Sequence, residues 1–305
     1  MLQDIEPYRL DNAYRDWKPR PQDHAVVAVD DAVVVMLADD ADFASGGEAW
    51  RLPTFSEIEA LGEAQSDARY LFAMRNEQGN AAEEMRVFLL SIDTSMNEAV
   101  ARRLTGDDAL QSKGIIVSER DLHALQHGPT SFGGLFGLQL KRWYDTTRFC
   151  GRCGAKLEHS ATERMMFCPK CHDMTYPTIS PAVIVAVTNG DDVLVARGKG
   201  RPKTALSLIA GFAEVGETIE QTVQREVMEE TGVRVKNLRF YKSQPWPLSS
   251  SLLCGFFAEL DGDPKVTCQE EELDWAGWMD RRDLQPDDTN YSLTREMMEV
   301  LRTRR

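Results

Sequence analysis

Apolar and polar positions alternate along the chain with two different periods. Ala182–Val187 and Val193–Ala196 are short, unbroken apolar runs on either side of Asn189-Gly190. Two such runs around an Asn-Gly pair predict a β-hairpin. Further strand-like runs cover Arg239–Trp246 and Ser251–Leu260. Between hairpin and strands, Ile219, Val223 and Val227 recur at every fourth position, which predicts a helix with one apolar face. Thr218 followed by Gln221 is a capping box that marks its start, and Gly232 is its natural stop. The end of the chain, from Asn290, is also helical in pattern. The first half mixes strand-like runs at 24–37, 68–76 and 85–93 with helix-like ones at 97–104 and 118–126. That mixture predicts an α+β domain of its own over 1–130. The stretch 126–134, with Pro129 and its glycines, reads as a linker, and 135–147 as a helix within a middle segment, 131–177. A further domain is expected over 178–305, and no internal repeat or low-complexity tract is present.

Composition narrows the class. With 305 residues, 42% hydrophobic and 28% charged, the chain has the make-up of a folded protein of about two domains. Its longest apolar run is too short to cross a bilayer, and the acidic start "MLQDIEPY" lacks the basic end and apolar core of a signal peptide. No membrane partner and a cytoplasmic address are therefore expected. A net charge of -14 argues against broad electrostatic binding to nucleic acid or anionic lipid, with "RTRR" at 302–305 as one local basic patch. Six cysteines in a chain of this length read as metal ligands or free thiols rather than a disulfide framework.

Their spacing supports metal. Cys150-x2-Cys153 and Cys168-x2-Cys171, separated by fourteen residues, are two knuckles that bring four thiolates to one tetrahedral zinc ion. Gly151 and Gly154 ease the first turn. A shell of four cysteines leaves no open position, so the zinc is structural. Cys254 and Cys268 fall outside the pattern and read as a buried small side chain and a surface thiol. The second candidate site is acidic. Glu226, Glu229 and Glu230 stand at i, i+3 and i+4, on one helix face, where like charges repel. Arg225 is the one positive charge in that helix. A solvated acidic face is the bland explanation. The glycine-punctuated loop 208–217 before the helix favours the other: clustered hard oxygen ligands for Mg²⁺ or Mn²⁺, ions that bridge to substrate phosphates.

These residues carry a resemblance. The order Gly211, five residues, Glu217, seven residues, then Arg225-Glu226-Val227-Met228-Glu229-Glu230-Thr231-Gly232-Val233 resembles the box of the Nudix hydrolases at every defining position. The preceding zinc knuckle and "SQPWP" at 243–247 are similar to the NADH pyrophosphatase branch of that family. The resemblance covers about residues 130–305 well. It implies an α+β protein: a C-terminal Nudix α/β/α sandwich, preceded by a zinc ribbon and an N-terminal Nudix-like α+β domain. It also implies a homodimer.

Position by position, the resemblance implies that Glu226 and Glu230 ligate metal, with Glu229 as ligand or catalytic base and the carbonyl of Ala210 as a further ligand. Glu272 matches a later metal-binding carboxylate, although Glu270 and Glu271 leave that register open by one. Phe212 matches an aromatic that stacks on a base, and Glu163 and Tyr176 match substrate-contacting positions near the zinc knuckle. Gln244, Pro245, Trp246, Pro247 and Ser251 fall in the substrate-binding run. Leu248 and Ser249 stand where the branch has phenylalanine and proline, and Thr294 where it has a small alanine. Those departures touch substrate preference more than reaction type. The implied activity is metal-dependent hydrolysis of NADH, and less readily NAD⁺, to AMP and nicotinamide mononucleotide. Removal of NAD caps from RNA is a related activity, for which the acidic surface is unfavourable. The alternatives are another dinucleotide such as ADP-ribose, or a non-catalytic zinc protein that senses nucleotide.

Overall fold

Both faces of the strand Ser180–Asn189 (β1) are buried: Val183, Val185 and Val187 on one side, Ile184 and Ala186 on the other, none above 5% exposed. A strand covered on both faces needs apolar residues at every position, which is why this segment runs unbroken instead of alternating. In the computed structural model, the described residues are 1–38, 49–60, 68–76, 84–91, 93–106, 114–125, 128–269, 271–286 and 291–303. Glu270 and the last two arginines of "RTRR" lie outside them. Two units are distinguishable, Leu2–Thr178 and Ile179–Arg305, the latter together with Met1.

In the C-terminal unit β1 is followed by Asp192–Gly198 (β2), Ile209–Phe212 (β3), the helix Ile219–Thr231 (α1), Val235–Trp246 (β4), Ser251–Leu260 (β5), Leu273–Asp280 (β6) and the helix Leu293–Thr303 (α2). The sheet order is β4-β5-β1-β2-β6, with β3 also on β1. β1 and β5 run parallel from Ser180 opposite Ser251 to Thr188 opposite Glu259. The other edge of β1 is divided. Thr188 and Asn189 pair with β2 across the expected Asn-Gly hairpin, while Ala182–Val185 pair with β3. β3 thereby places Ala210, Gly211 and Phe212 opposite Ile184, Val183 and Ala182.

Each face of the sheet is closed by one helix. Val223 and Val227 of α1 join Val183, Val185 and Val187 in one core, and Leu293, Met297 and Leu301 of α2 join Ile184, Ala186 and Val193 in the other. Each such side chain contributes about 1.5–3 kcal/mol on full burial. The expected α/β/α sandwich is thus present. α1 begins and ends as its sequence requires: the Thr218 hydroxyl accepts the Gln221 N–H, the Gln221 side chain accepts the Thr218 N–H, and Gly232 closes the helix at φ 69°.

The N-terminal unit holds a sheet of Tyr8–Asp11, Arg69–Asn76, Glu84–Leu89 and His24–Val26, in that order. A second sheet is built on Ala32–Leu37, which pairs with Ala28–Val29, Trp50–Arg51 and Gly114–Ser118. One expectation is corrected. The linker read over 126–134 is, from Pro129 onward, part of a helix that runs Pro129–Thr146, and residues 126–127 lie outside the described residues. Its glycines serve packing rather than breaking. A Cβ on Gly134 would stand 2.6 Å from Leu122 Cδ2, and one on Gly137 2.5 Å from Val26 Cγ2. Among the described residues no helix is long and apolar enough to cross a membrane.

Candidate active site and zinc ribbon

α1 buries Val223 and Val227 and carries its glutamates around the helix from that anchor. Arg225 organises them. Its Nε and Nη2 donate to the two carboxylate oxygens of Glu217 at 2.6 and 3.0 Å, and Nη1 donates to Glu226 and Glu229, both at 2.9 Å. Nη2 also donates to the Phe212 carbonyl at 2.8 Å. One guanidinium therefore ties the loop after β3 to its own end and to the helix. Glu217 shows the effect: the bonds from Arg225, then the Glu214 N–H, hold its carboxyl down to about 2.

The inner carboxylates are in the opposite condition. Glu230 is 5% exposed. Burial, and then the charges of Glu226 and Glu272, push its carboxyl up to about 8 against the pull of the Ala210 N–H. Glu226 is raised as well, because burial outweighs its bond to Arg225 and Glu229 and Glu272 add repulsion. Two enclosed carboxylates that repel each other and a third, with a single arginine beside them, fit a divalent cation. Gly211 is part of the same fitting. A Cβ there would lie 2.0 Å from the Glu226 carboxyl carbon and 2.2 Å from both of its oxygens. Only a residue without a side chain lets that carboxylate sit against β3.

Beside β3 opens a cleft of about 680 Å³. Of the residues expected at the site, Ala210, Phe212, Trp246 and Ser251 line it, as does Ser249 at the departure from the family pattern. Phe212 is 51% exposed, available for stacking. The Trp246 ring meets that of Tyr291 at 5.2 Å and 56°, and Tyr291 also lines the cleft. Gln244, Pro245, Pro247 and Leu248 are not among the lining residues. Gln244 is fully buried, with Nε2 donating to the Tyr291 carbonyl at 3.1 Å and Oε1 accepting the Leu293 N–H at 2.7 Å. Leu248 and Ser249 sit in a single 3₁₀ turn, Pro247–Ser249. Glu272 is exposed just before β6, close enough to raise both inner glutamates.

In the N-terminal unit Glu158–His159, Met166–Phe167 and Met174–Thr175 form a small three-stranded sheet, and the four expected cysteines gather at its turns with all sulfur atoms within 4.8 Å of one another. Among the described residues this is the one group of ligating side chains that converges so closely. The two knuckles repeat one geometry. Gly154 N–H donates to the Cys150 carbonyl and His172 N–H to the Cys168 carbonyl, both at 2.9 Å, with φ of 70° and 61°. Four converged thiols with no other donor required fit tetrahedral zinc. Beside them the Tyr176 hydroxyl donates to Glu163 at 2.8 Å, so these two expected substrate residues form a pair. Cys254 and Cys268 are both half-buried rather than one buried and one at the surface.

Sequence reasoning missed Arg201, Ser207, Tyr291, Ser292 and Arg295, which also line the cleft. They come from a loop and a helix start with no local chemical signature. The bridging role of Arg225 could have been found, since Arg225 and Glu229 are four apart on one helix.

A NUDIX domain model matches residues 178–301, and the model of the NADH pyrophosphatase zinc ribbon domain matches 145–176. The chain belongs to the Nudix hydrolases. It is 37% identical over 215 residues to the NAD-capped RNA hydrolase NudC of Klebsiella pneumoniae subsp. pneumoniae, covering 66% of this chain and 83% of that protein. The protein of the same name from Salmonella typhi is 45% identical over 148 residues, or 48% of this chain, and the chain spans 57% of its length. A crystal structure of a NUDIX hydrolase from Nitrosomonas europaea aligns with a TM-score of 0.44 at 24% identity, over 52% of this chain and 92% of that one.

Proposed function

We propose that the chain hydrolyses the pyrophosphate of NADH and NAD⁺ to AMP and nicotinamide mononucleotide, and removes NAD caps from RNA. The observation that carries this reading is the pair of mutually repelling carboxylates, Glu226 half-buried and Glu230 buried, beside an aromatic cleft of about 680 Å³. Glu226, Glu230, Glu272 and the Ala210 carbonyl would hold Mg²⁺ or Mn²⁺, with Glu229 as a further ligand or as the base. When bound, such an ion neutralises the pyrophosphate, acidifies water and stabilises the departing phosphate. Phe212, Trp246 and Tyr291 offer ring faces to the substrate bases. Arg225 keeps the glutamate-bearing helix and the Phe212 loop in fixed relation. Glu229, 54% exposed at its side chain and bonded to Arg225 through one oxygen, would take a proton from water in the base role. The relatives' name and the zinc ribbon support this substrate class over ADP-ribose. A homodimer and a cytoplasmic address complete the proposal.

Product analysis of NADH, NAD⁺, ADP-ribose and a 5′-NAD-capped RNA with Mg²⁺ and with Mn²⁺ tests it. The expected products are AMP and nicotinamide mononucleotide, or their RNA-linked counterparts. Faster cleavage of ADP-ribose than of NADH would move the assignment to the alternative dinucleotide, and no turnover with either metal would leave only a nucleotide sensor.

A further inference from the structure

Two charged side chains line the cleft among the described residues, and both are arginines, Arg201 and Arg295. That is unexpected in a chain with 49 acidic and 35 basic residues. Neither guanidinium has an ion pair among the described residues, and no carboxylate lines the cleft with them. Hydroxyl-bearing residues, Ser207, Ser249, Ser292 and Thr294, line the same cleft. The backbone at the start of α2 is already answered: Gln244 accepts the Leu293 N–H and Ser292 Oγ accepts the Arg295 N–H. Among the residues that line the cleft, anion affinity therefore rests on the two side chains.

NADH gives them little to do, because its negative charge is confined to the pyrophosphate, which a cation held by the glutamates would answer. We infer that Arg201 and Arg295 recognise a further phosphate carried on a ribose of the substrate, outside the bond that is cleaved. This rests on the proposed function and narrows its substrate class. Two sources share that chemistry, a 2′-phosphate and the 3′-phosphate at which an RNA chain continues. Guanidinium groups suit either, since their paired donors match phosphate oxygens and stay charged at every relevant pH.

The test uses ligands that are not hydrolysed. Affinities for AMP, adenosine 2′,5′-bisphosphate and adenosine 3′,5′-bisphosphate are measured by calorimetry on the full chain without divalent metal, for wild type, Arg201→Gln/Arg295→Gln and Arg201→Lys/Arg295→Lys. One bisphosphate is expected to bind wild type at least tenfold tighter than AMP, and which one names the source. That ratio should fall to near one in the glutamine variant and be partly kept in the lysine variant. Equal affinity for all three ligands in wild type, or an equal loss for all three in the glutamine variant, overturns the inference. Wild-type turnover of NADH, measured separately, tells failure of this inference from failure of the proposed function.

Discussion

Gly211 shows how far a single residue can govern the site. Its missing side chain is the space in which the Glu226 carboxylate lies. Gly211→Ala is expected to displace that carboxylate and lower kcat/KM by about 100-fold, the scale on which a misplacement of about 1 Å acts, while far-ultraviolet circular dichroism stays that of wild type. Turnover within a factor of three of wild type would show that Glu226 can move without consequence. A different residue governs acid stability. His24, in the N-terminal unit, has an enclosed Nδ1 with no hydrogen-bond partner among the described residues, and burial, then Arg51, lower its pKa to about 4 against Asp23 and Glu57. The folded chain thus refuses a proton that the unfolded chain takes up near its ordinary 6.5. Stability from this group is complete above pH 6.5 and is lost as pH falls from there towards 4. Melting temperatures across that window should fall less steeply in His24→Gln than in wild type. Parallel curves would remove His24 from the account.

Among the elements, β4 and α2 are joined by Gln244, a buried amide bonded to the backbone of Tyr291 and Leu293. The resemblance implies a residue that touches substrate. The geometry gives it a different task, holding Tyr291 against Trp246 at the cleft wall. Gln244→Leu leaves a backbone donor and acceptor unanswered, at a cost of about 1–3 kcal/mol each. KM for NADH is expected to rise about tenfold with kcat within twofold, because the glutamates are untouched. A fall in kcat at constant KM would place Gln244 in the chemistry itself. The same elements show what a sequence can reveal. Capping, apolar spacing and the Asn-Gly turn are local signals, and α1, β1 and β2 were legible from them. The four cysteines were legible because two close pairs bring their sulfur atoms together, whereas spacing placed the glutamate trio on one helix without showing that Glu230 is buried and Glu229 exposed. The cleft was not, since Arg201, Tyr291 and Arg295 meet it only after the chain has folded. Pro129 and the glycines behind it misled in the other direction, because a glycine that admits a neighbour and a glycine that ends a helix look alike in one dimension.

At the scale of the whole molecule both units have apolar cores, and one part of the N-terminal unit has a different source of stability. The C-terminal unit has two apolar cores around one sheet. The zinc ribbon, whose strands are two residues each, has little apolar interior and depends on its thiolates. Structural zinc is worth on the order of 10 kcal/mol in small domains, and ~1 kcal/mol moves a melting temperature by about 2–4 °C at this size. Cys168→Ser should therefore abolish stoichiometric zinc in elemental analysis and lower the first melting transition by more than about 10 °C. An unchanged first transition in a zinc-free variant would show that the ribbon holds itself together.

One strand has a further consequence for how the C-terminal unit comes apart. β1 is bonded along one edge to β5 and along the other to both β2 and β3, and it is covered on both faces. No partial fraying of a neighbour lays its middle bare. Deuterium should reach the amides of Val183–Val187 only when the whole unit opens, so their exchange rates report its global unfolding equilibrium. Those amides are a built-in gauge, by which any ligand that tightens the unit can be weighed without watching a reaction.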